Sequence, residues 1–261
     1  MSRAARVVGC LLLLGCRSAL PLLPLPADDG RPQAYLAAWS ESARERESLR
    51  GFARLSVAGD HVELRGKQLL IVERPARLRV EILGFLNQTV AVLVTDGATY
   101  ELFRAEDRTV ERGAVHPRLL WEVAGLDLTP EDTVALLLGA PHLGGSLRVV
   151  RALAAGEEEI RVELADGDGV VRRRIGFDGE GRLRLLEQID VRGALSWSAR
   201  FDDYELIQGT PVAHAIRIDM ATGRTHAELS LRDVELNPEL PPEIFRLQLP
   251  GSSDRTQQEG G

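Results

Sequence analysis

The 261-residue sequence carries a formal net charge of −7, with 27% charged and 44% hydrophobic residues. That is apolar side chain enough for a buried core, and a charge balance that excludes a disordered chain. An acidic chain without a basic patch interleaved with aromatics repels phosphate backbones, so no nucleic-acid partner is expected. Both cysteines, Cys10 and Cys16, lie in the N-terminal apolar segment, so the body of the chain has no thiol for a disulfide or a nucleophile.

The N-terminus reads as an address. Arg3 and Arg6 precede a short apolar run, Val7 to Leu14, too short to cross a bilayer as a helix. Leu13-Leu14-Gly15-Cys16 then resembles the lipobox of bacterial lipoproteins, in which the Cys thiol takes a diacylglyceryl group and a small preceding residue gives the signal peptidase access. Residues 1–15 are therefore expected to be a signal peptide and Cys16 a lipid-anchored N-terminus; loss of two arginines takes the formal charge from −7 to −9. Several acyl chains on one Cys anchor firmly, at about 0.8 kcal/mol per buried CH₂. Arg17 stands where Asp, in proteobacterial lipoproteins, signals retention in the inner membrane, so the analogy implies the outer membrane, periplasmic face. Residues 17–32, rich in Leu and Pro, are expected to be an extended, flexible tether to a domain over residues 33–250. The polar residues 251–261 are expected to be a disordered tail.

Within the domain, Pro32 to Leu49 predicts a helix, with Tyr35, Ala38, Trp39, Ala43 and Arg46 at a loose 3–4 spacing and Trp39 as its core anchor. From Phe52 to about Arg112 a period of two dominates. Val62 and Leu64 alternate with polar residues, as do Leu78, Val80 and Ile82. Gly59-Asp60 and Asp96-Gly97 are turns, and Pro75 marks a strand start or edge. The period then changes. Leu119, Leu120, Val123 and Leu126 fit one short helix. A second opens on Thr129-Pro130-Glu131-Asp132, with Thr as cap and acids at the positive helix end, and stops at Gly139 and Pro141. From Ser146 the strands return: Ile160, Val162 and Leu164; Ile216, Ile218 and Met220; Ala227, Leu229 and Leu231. Pro241-Pro242-Glu243-Ile244-Phe245 suggests a helical turn before a last strand near Arg246–Leu249.

The fold class is therefore mainly β: a large antiparallel sheet with about three short helices. Such a sheet has a whole apolar face to cover, and three short helices cover only part of it. Either the sheet curls nearly closed or an apolar hollow remains.

Catalytic and metal signatures are missing. The histidines His61, His116, His142, His214 and His226 show no paired metal-ligand spacing, so no metal site is expected. There is no G-x-S-x-G elbow, no Walker loop and no dinucleotide fingerprint, so no enzyme activity and no cofactor are expected. Asp166-Gly167-Asp168-Gly169 lacks the terminal Glu of a calcium loop and reads as a turn. The unusual segment is Leu83-Gly84-Phe85-Leu86-Asn87-Gln88-Thr89, because hairpin connections are normally polar. Either Phe85 or Leu86 folds back into the core, or both form an exposed apolar tip for a membrane or a partner. Burying both would contribute roughly 3–5 kcal/mol.

Taken in order, several segments resemble the LolA/LolB superfamily of periplasmic lipoprotein carriers and outer-membrane lipoprotein receptors. They are Leu49-Arg50-Gly51-Phe52-Ala53-Arg54-Leu55; Pro75 to Gly84; Val94-Thr95-Asp96-Gly97; Leu136 to Pro141; Asp202-Asp203-Tyr204 with Pro211; and Leu236 to Pro241. The resemblance implies an unclosed half-barrel, a curved antiparallel sheet capped by helices, whose hollow holds acyl chains. It also places Phe85 and Leu86 in the loop with which the anchored receptors enter the membrane. Expected acyl-binding residues are Val80, Ile82, Val92, Ile216, Ile218 and Leu229. The expected function is an outer-membrane-anchored lipid-binding lipoprotein that accepts acyl chains of lipoproteins, or another envelope lipid, and assists their insertion. Its expected partners are the membrane, those acyl chains and a periplasmic carrier protein. The alternative is a structural or sensing envelope lipoprotein that binds a protein partner through the same fold.

Overall fold

The computed structural model describes residues 22–140, 147–156 and 158–248. Cys16, His142 and the C-terminal tail lie outside the described residues. After β1 (Leu22–Pro24) comes helix α1 (Arg31–Arg44), then a six-stranded meander: β2 (Ser48–Gly59), β3 (Val62–Glu73), β4 (Arg77–Leu83), β5 (Thr89–Thr95), β6 (Thr99–Arg104) and β7 (Thr109–Ala114). Helices α2 (Leu119–Ala124) and α3 (Pro130–Leu137) follow. A seven-stranded meander completes the domain: β8 (Arg148–Ala155), β9 (Glu159–Ala165), β10 (Val171–Phe177), β11 (Leu183–Ile189), β12 (Leu195–Ile207), β13 (Thr210–Met220) and β14 (His226–Leu236).

All 14 strands belong to one sheet, in the order β1-β8-β9-β10-β11-β12-β13-β14-β2-β3-β4-β5-β6-β7. Antiparallel pairing of β14 with β2, which sets Leu229 opposite Leu55, fuses the two meanders. β1 and β7 end the sheet without meeting, so it remains an unclosed half-barrel. A sheet this wide cannot stay flat, because strand twist accumulates and curls it. The helices lie in the concavity: α1 packs on β9, and α3 on β3 and β4. Among the described residues no helix is long and apolar enough to cross a membrane.

Alternation places the side chains. Ile216, Ala227, Leu229 and Leu231 are buried on the concave side, whereas Arg217, Glu228 and Arg232 are not. The convex side carries rows of ion pairs, such as Glu163 between Arg151 (3.5 Å) and Arg174 (3.1 Å), with Arg174 reaching Glu187 at 3.2 Å. The arginines reach solvent while Glu163 is buried, so the two guanidinium groups supply the partners that a carboxylate withdrawn from water requires. Asp166 builds a turn, as its spacing suggested. Its Oδ1 accepts from the backbone N–H of Asp168 and Val170, both at 3.0 Å, and its Oδ2 accepts from Arg172 at 2.6 Å.

Over α1 the concavity is filled by aromatics. The Phe177 ring meets Tyr35 and Trp39 edge-on, at 6.1 and 6.2 Å, and Trp39 Nε1 donates to the carbonyl of Gly139 at 3.1 Å. Helix α3 starts as expected: Thr129 Oγ1 accepts from the N–H of Asp132 at 3.0 Å. It ends at Gly139, whose φ of +58° an L side chain rarely adopts.

Three expectations are corrected. The first helix stops at Arg44, not Leu49, because Ser48 and Leu49 are taken by β3 partners Glu73 and Val72. Asn237 secures that entry: its Oδ1 accepts from the N–H of Glu47 at 2.9 Å and of Ser48 at 3.2 Å. Part of the expected tether, Leu22–Pro24, is a strand on the edge of β8. No strand forms over residues 246–248. After the 3-10 turn at Pro242–Phe245, this segment lies along the convex side of β4 to β6. Arg79 Nη1 donates to the Ile244 carbonyl at 2.9 Å, and Glu101 Oε2 accepts from the N–H of Leu247 at 2.7 Å.

Candidate lipid-binding site

Between α2–α3 and strands β2 to β6, β13 and β14 the concavity is not filled. A hollow of about 310 Å³ remains, walled by Leu70, Leu78, Val80, Ile82 and Leu93 on one side and by Ile216, Ile218 and Leu229 on the other. Its ceiling is the inner stripe of the short helices, including Leu120, Val123, Leu136 and Leu137. This volume lies at the lower end of the roughly 300–1,000 Å³ of small-molecule pockets. The walls are apolar, so water gains little by entering, and an alkyl chain would lose surface to water there. Thr133, one of the few polar lining residues, donates its hydroxyl to the Thr129 carbonyl at 3.0 Å.

The hollow opens beside β5 and β6, where Val90, Arg104 and Glu106 combine lining positions with exposure. Arg104 is held at 3.3 Å from Glu111. Glu111 also accepts from the Tyr100 hydroxyl at 2.7 Å, which holds its carboxyl below the usual range. A thin wall helps to make the space. On the inner phase of β3, Gly66 stands between Leu64 and Gln68, and a Cβ there would meet only the Ile82 side chain, at 3.9 Å.

The hairpin at the mouth carries the apolar tip. Phe85 is 98% exposed and Leu86 79%, so neither folds back into the core. The loop is built to hold them outward. Asn87 N–H donates to the Gly84 carbonyl at 3.0 Å, Asn87 takes φ +58°, and Gly84 N–H donates to the Gln88 carbonyl at 2.8 Å. That is a tight turn followed by a left-handed residue. Gln88 Oε1 accepts from the Leu86 N–H at 2.9 Å, and Lys67 Nζ donates to Asn87 Oδ1 at 3.1 Å. A Cβ at position 84 would lie 2.5 Å from Gln88 Nε2, so any larger residue there would displace the Gln88 amide that braces the loop.

The helices are pinned over the sheet by two arginines. Arg46 Nη1 donates to the carbonyls of Leu138 (3.0 Å) and Gly139 (3.3 Å); Arg74 Nη2 donates to those of Ala140 (2.7 Å) and Ala43 (3.2 Å). Guanidinium groups there satisfy the end carbonyls of α1 and α3 and oppose the helix dipoles. Burial pushes the Arg46 guanidinium below its ordinary pKa.

Of the six residues expected to bind acyl chains, Val80, Ile82, Ile216, Ile218 and Leu229 line the hollow together. Val92 does not. It pairs with Glu81 and Phe103, on the opposite face from Leu93 and its partners Val80 and Leu102. It is buried there, 6% exposed, on the convex side along which the C-terminal segment runs. The sequence reading passed over Gln68, Leu70, Leu93 and the helical ceiling. For the strand residues, alternation from Leu64 through Gln68 and Leu70 was the available signal. Among the described residues no group of three or more His, Cys, Asp or Glu side chains converges as metal ligands would.

The same architecture occurs in solved structures. A LolA superfamily protein from Nitrosomonas europaea superposes with a TM-score of 0.55 at 19% sequence identity, over 81% of this chain and 97% of that one. The chain has a LolA/LolB-like fold. Two further structures match this LolA-like domain more loosely. A DUF1329 family protein from Desulfovibrio piger has a TM-score of 0.48 and 11% identity over 82% and 96% of the two chains. A domain from Vibrio parahaemolyticus named for outer-membrane lipoprotein sorting has a TM-score of 0.47 and 13% identity over 81% and 94%. No protein-family model and no curated protein matches the sequence.

Proposed function

We propose that this chain is a non-enzymatic lipid-binding lipoprotein of the bacterial envelope. Its half-barrel takes up the acyl chains of a lipoprotein, or of another envelope lipid, and assists their insertion into the outer membrane. The observation that carries this reading is the open apolar hollow with an exposed apolar hairpin at its mouth. A soluble globule gains nothing from leaving either uncovered, and the two together suit a surface that hands a greasy chain to a bilayer. Moderate affinity follows from the architecture, because a mouth that admits a chain also releases it. The Leu13-Leu14-Gly15-Cys16 signature supports a lipid anchor at Cys16, and Arg17 an outer-membrane address. An anchor would hold the Phe85–Leu86 loop near the bilayer, where even a weak insertion acts at high local concentration.

Native mass spectrometry of the full chain, gently extracted from membranes, tests the reading. The expected spectrum contains a bound acyl lipid, lost when Gly66→Phe fills the hollow. An empty domain in the wild type favours a sensing or structural lipoprotein that uses the fold to bind a protein.

A further inference from the structure

Gln68 breaks the pattern of the hollow. It is 2% exposed and lines an otherwise apolar wall, and no side-chain hydrogen bond joins it to another described residue. As a lining residue it turns what surface it keeps toward the hollow. An amide facing an apolar hollow is poorly satisfied, and Leu or Met would fit the wall without a polar group to satisfy.

The strand register shows what the amide faces. Gln68 pairs with Ile82, Ile82 with Ala91, and Ala91 with Arg104, so these four residues form one row across β3 to β6. That row starts at a buried amide and ends at the charged mouth. One row further from the hairpin tip lie Leu70, Val80, Leu93 and Leu102, all apolar. At about 4.8 Å per strand the row from Gln68 to Arg104 spans roughly 14 Å. A lipid bound with its head at Arg104 and Glu106 and its chain against Leu70 and Val80 would set its polar linkage beside Gln68.

We propose that Gln68 donates a hydrogen bond to the carbonyl of an acyl ester or amide, so that the preferred cargo is an acylated lipid, as opposed to any alkyl chain of suitable length. This rests on the lipid-binding reading above and narrows its ligand class. The amide N–H is the donor, and it leaves the Gln68 carbonyl free to accept from an amide N–H of the same linkage.

Two probes differ in that carbonyl alone: 1-palmitoyl-glycerophosphocholine, an ester, and 1-O-hexadecyl-glycerophosphocholine, its ether analogue. Calorimetric titration of the full chain should show the ester binding about tenfold more tightly, the value of one well-formed hydrogen bond. In Gln68→Met, which keeps the shape of the side chain, ester affinity should fall to that of the ether, while ether affinity stays as in wild type. Unchanged ether binding also shows that the variant folds. Equal wild-type affinities, or a preference that survives Gln68→Met, would overturn the assignment of Gln68 and leave the hollow as a general alkyl site. Binding of neither probe would overturn the lipid-binding reading itself, and the proposal with it.

Discussion

Replacing Phe85 and Leu86 by glutamate separates the hairpin's part in membrane contact from its part in folding. At 98% and 79% exposure, the two side chains have almost no burial to lose in the folded protein, so stability should change by less than about 0.5 kcal/mol. The turn itself is held by backbone bonds at Gly84 and Asn87 and by the Gln88 amide, none of which the substitutions remove. In a bilayer the sum is different. Full burial of a Phe and a Leu contributes roughly 3–5 kcal/mol, and half of that at an interface still changes partitioning about tenfold or more. Flotation of a chain beginning at Leu22, which lacks Cys16 and any anchor, with liposomes of neutral lipid would measure this. Wild type should partition at least about tenfold more strongly than the double variant, with coincident urea unfolding curves. Equal partitioning would refute the membrane role of the loop, and a variant that melts early would refute its exposure.

Other consequences can be checked separately. Trp39→Ala removes a side chain that is 5% exposed, packs edge-on against Phe177 and donates to Gly139. Its unfolding free energy should drop by about 3–5 kcal/mol in urea, and a drop below about 1 kcal/mol would show that α1 is not part of the core. His226 Nδ1 donates to Asp219 Oδ1 (2.6 Å), the protonated ring also donates from Nε2 to Glu228 Oε1 (3.3 Å), and the hydrogen bond to Asp219 raises its pKa above the ordinary value. The charged form is thus favoured by folding. Its stabilisation is complete below pH about 6.5 and fades as pH rises through the raised folded pKa. NMR titration should find the raised midpoint, and His226→Gln should cost more stability at pH 6 than at pH 9; the opposite order would contradict the pairing.

Period-two patterning is readable wherever one face of a strand is wet. In β13 and β14, Arg217, Asp219, Glu228 and Arg232 alternate with apolar residues, and that alternation alone turns Ile216, Ile218 and Leu229 inward. In β5 the same method fails. Val90, Ala91, Val92, Leu93 and Val94 are all apolar, and the C-terminal segment runs along the convex side, so sequence gives no phase and Val92 is expected on the wrong face. The overlong first helix has a similar origin, since nothing local in residues 45–49 announces their pairing with β3 and the cap from Asn237. Arg46 fits the helical stripe, but its true partners, the carbonyls of Leu138 and Gly139, lie about 90 residues away in sequence, beyond any local pattern. The exposure of Phe85 and Leu86 is one of two open readings of the sequence, because loop composition alone does not say which way a turn points.

Adjacent residues on opposite faces of β5 offer the most direct test of the hollow. A photoreactive phenylalanine analogue at position 93 would face the cavity, and one at position 92 the covered convex side. Irradiation of cells carrying each variant, followed by mass spectrometry of the purified chain, should find an acyl lipid attached at 93 and none at 92. Lipid attached at neither position, or equally at both, would contradict the half-barrel as the place where acyl chains are held.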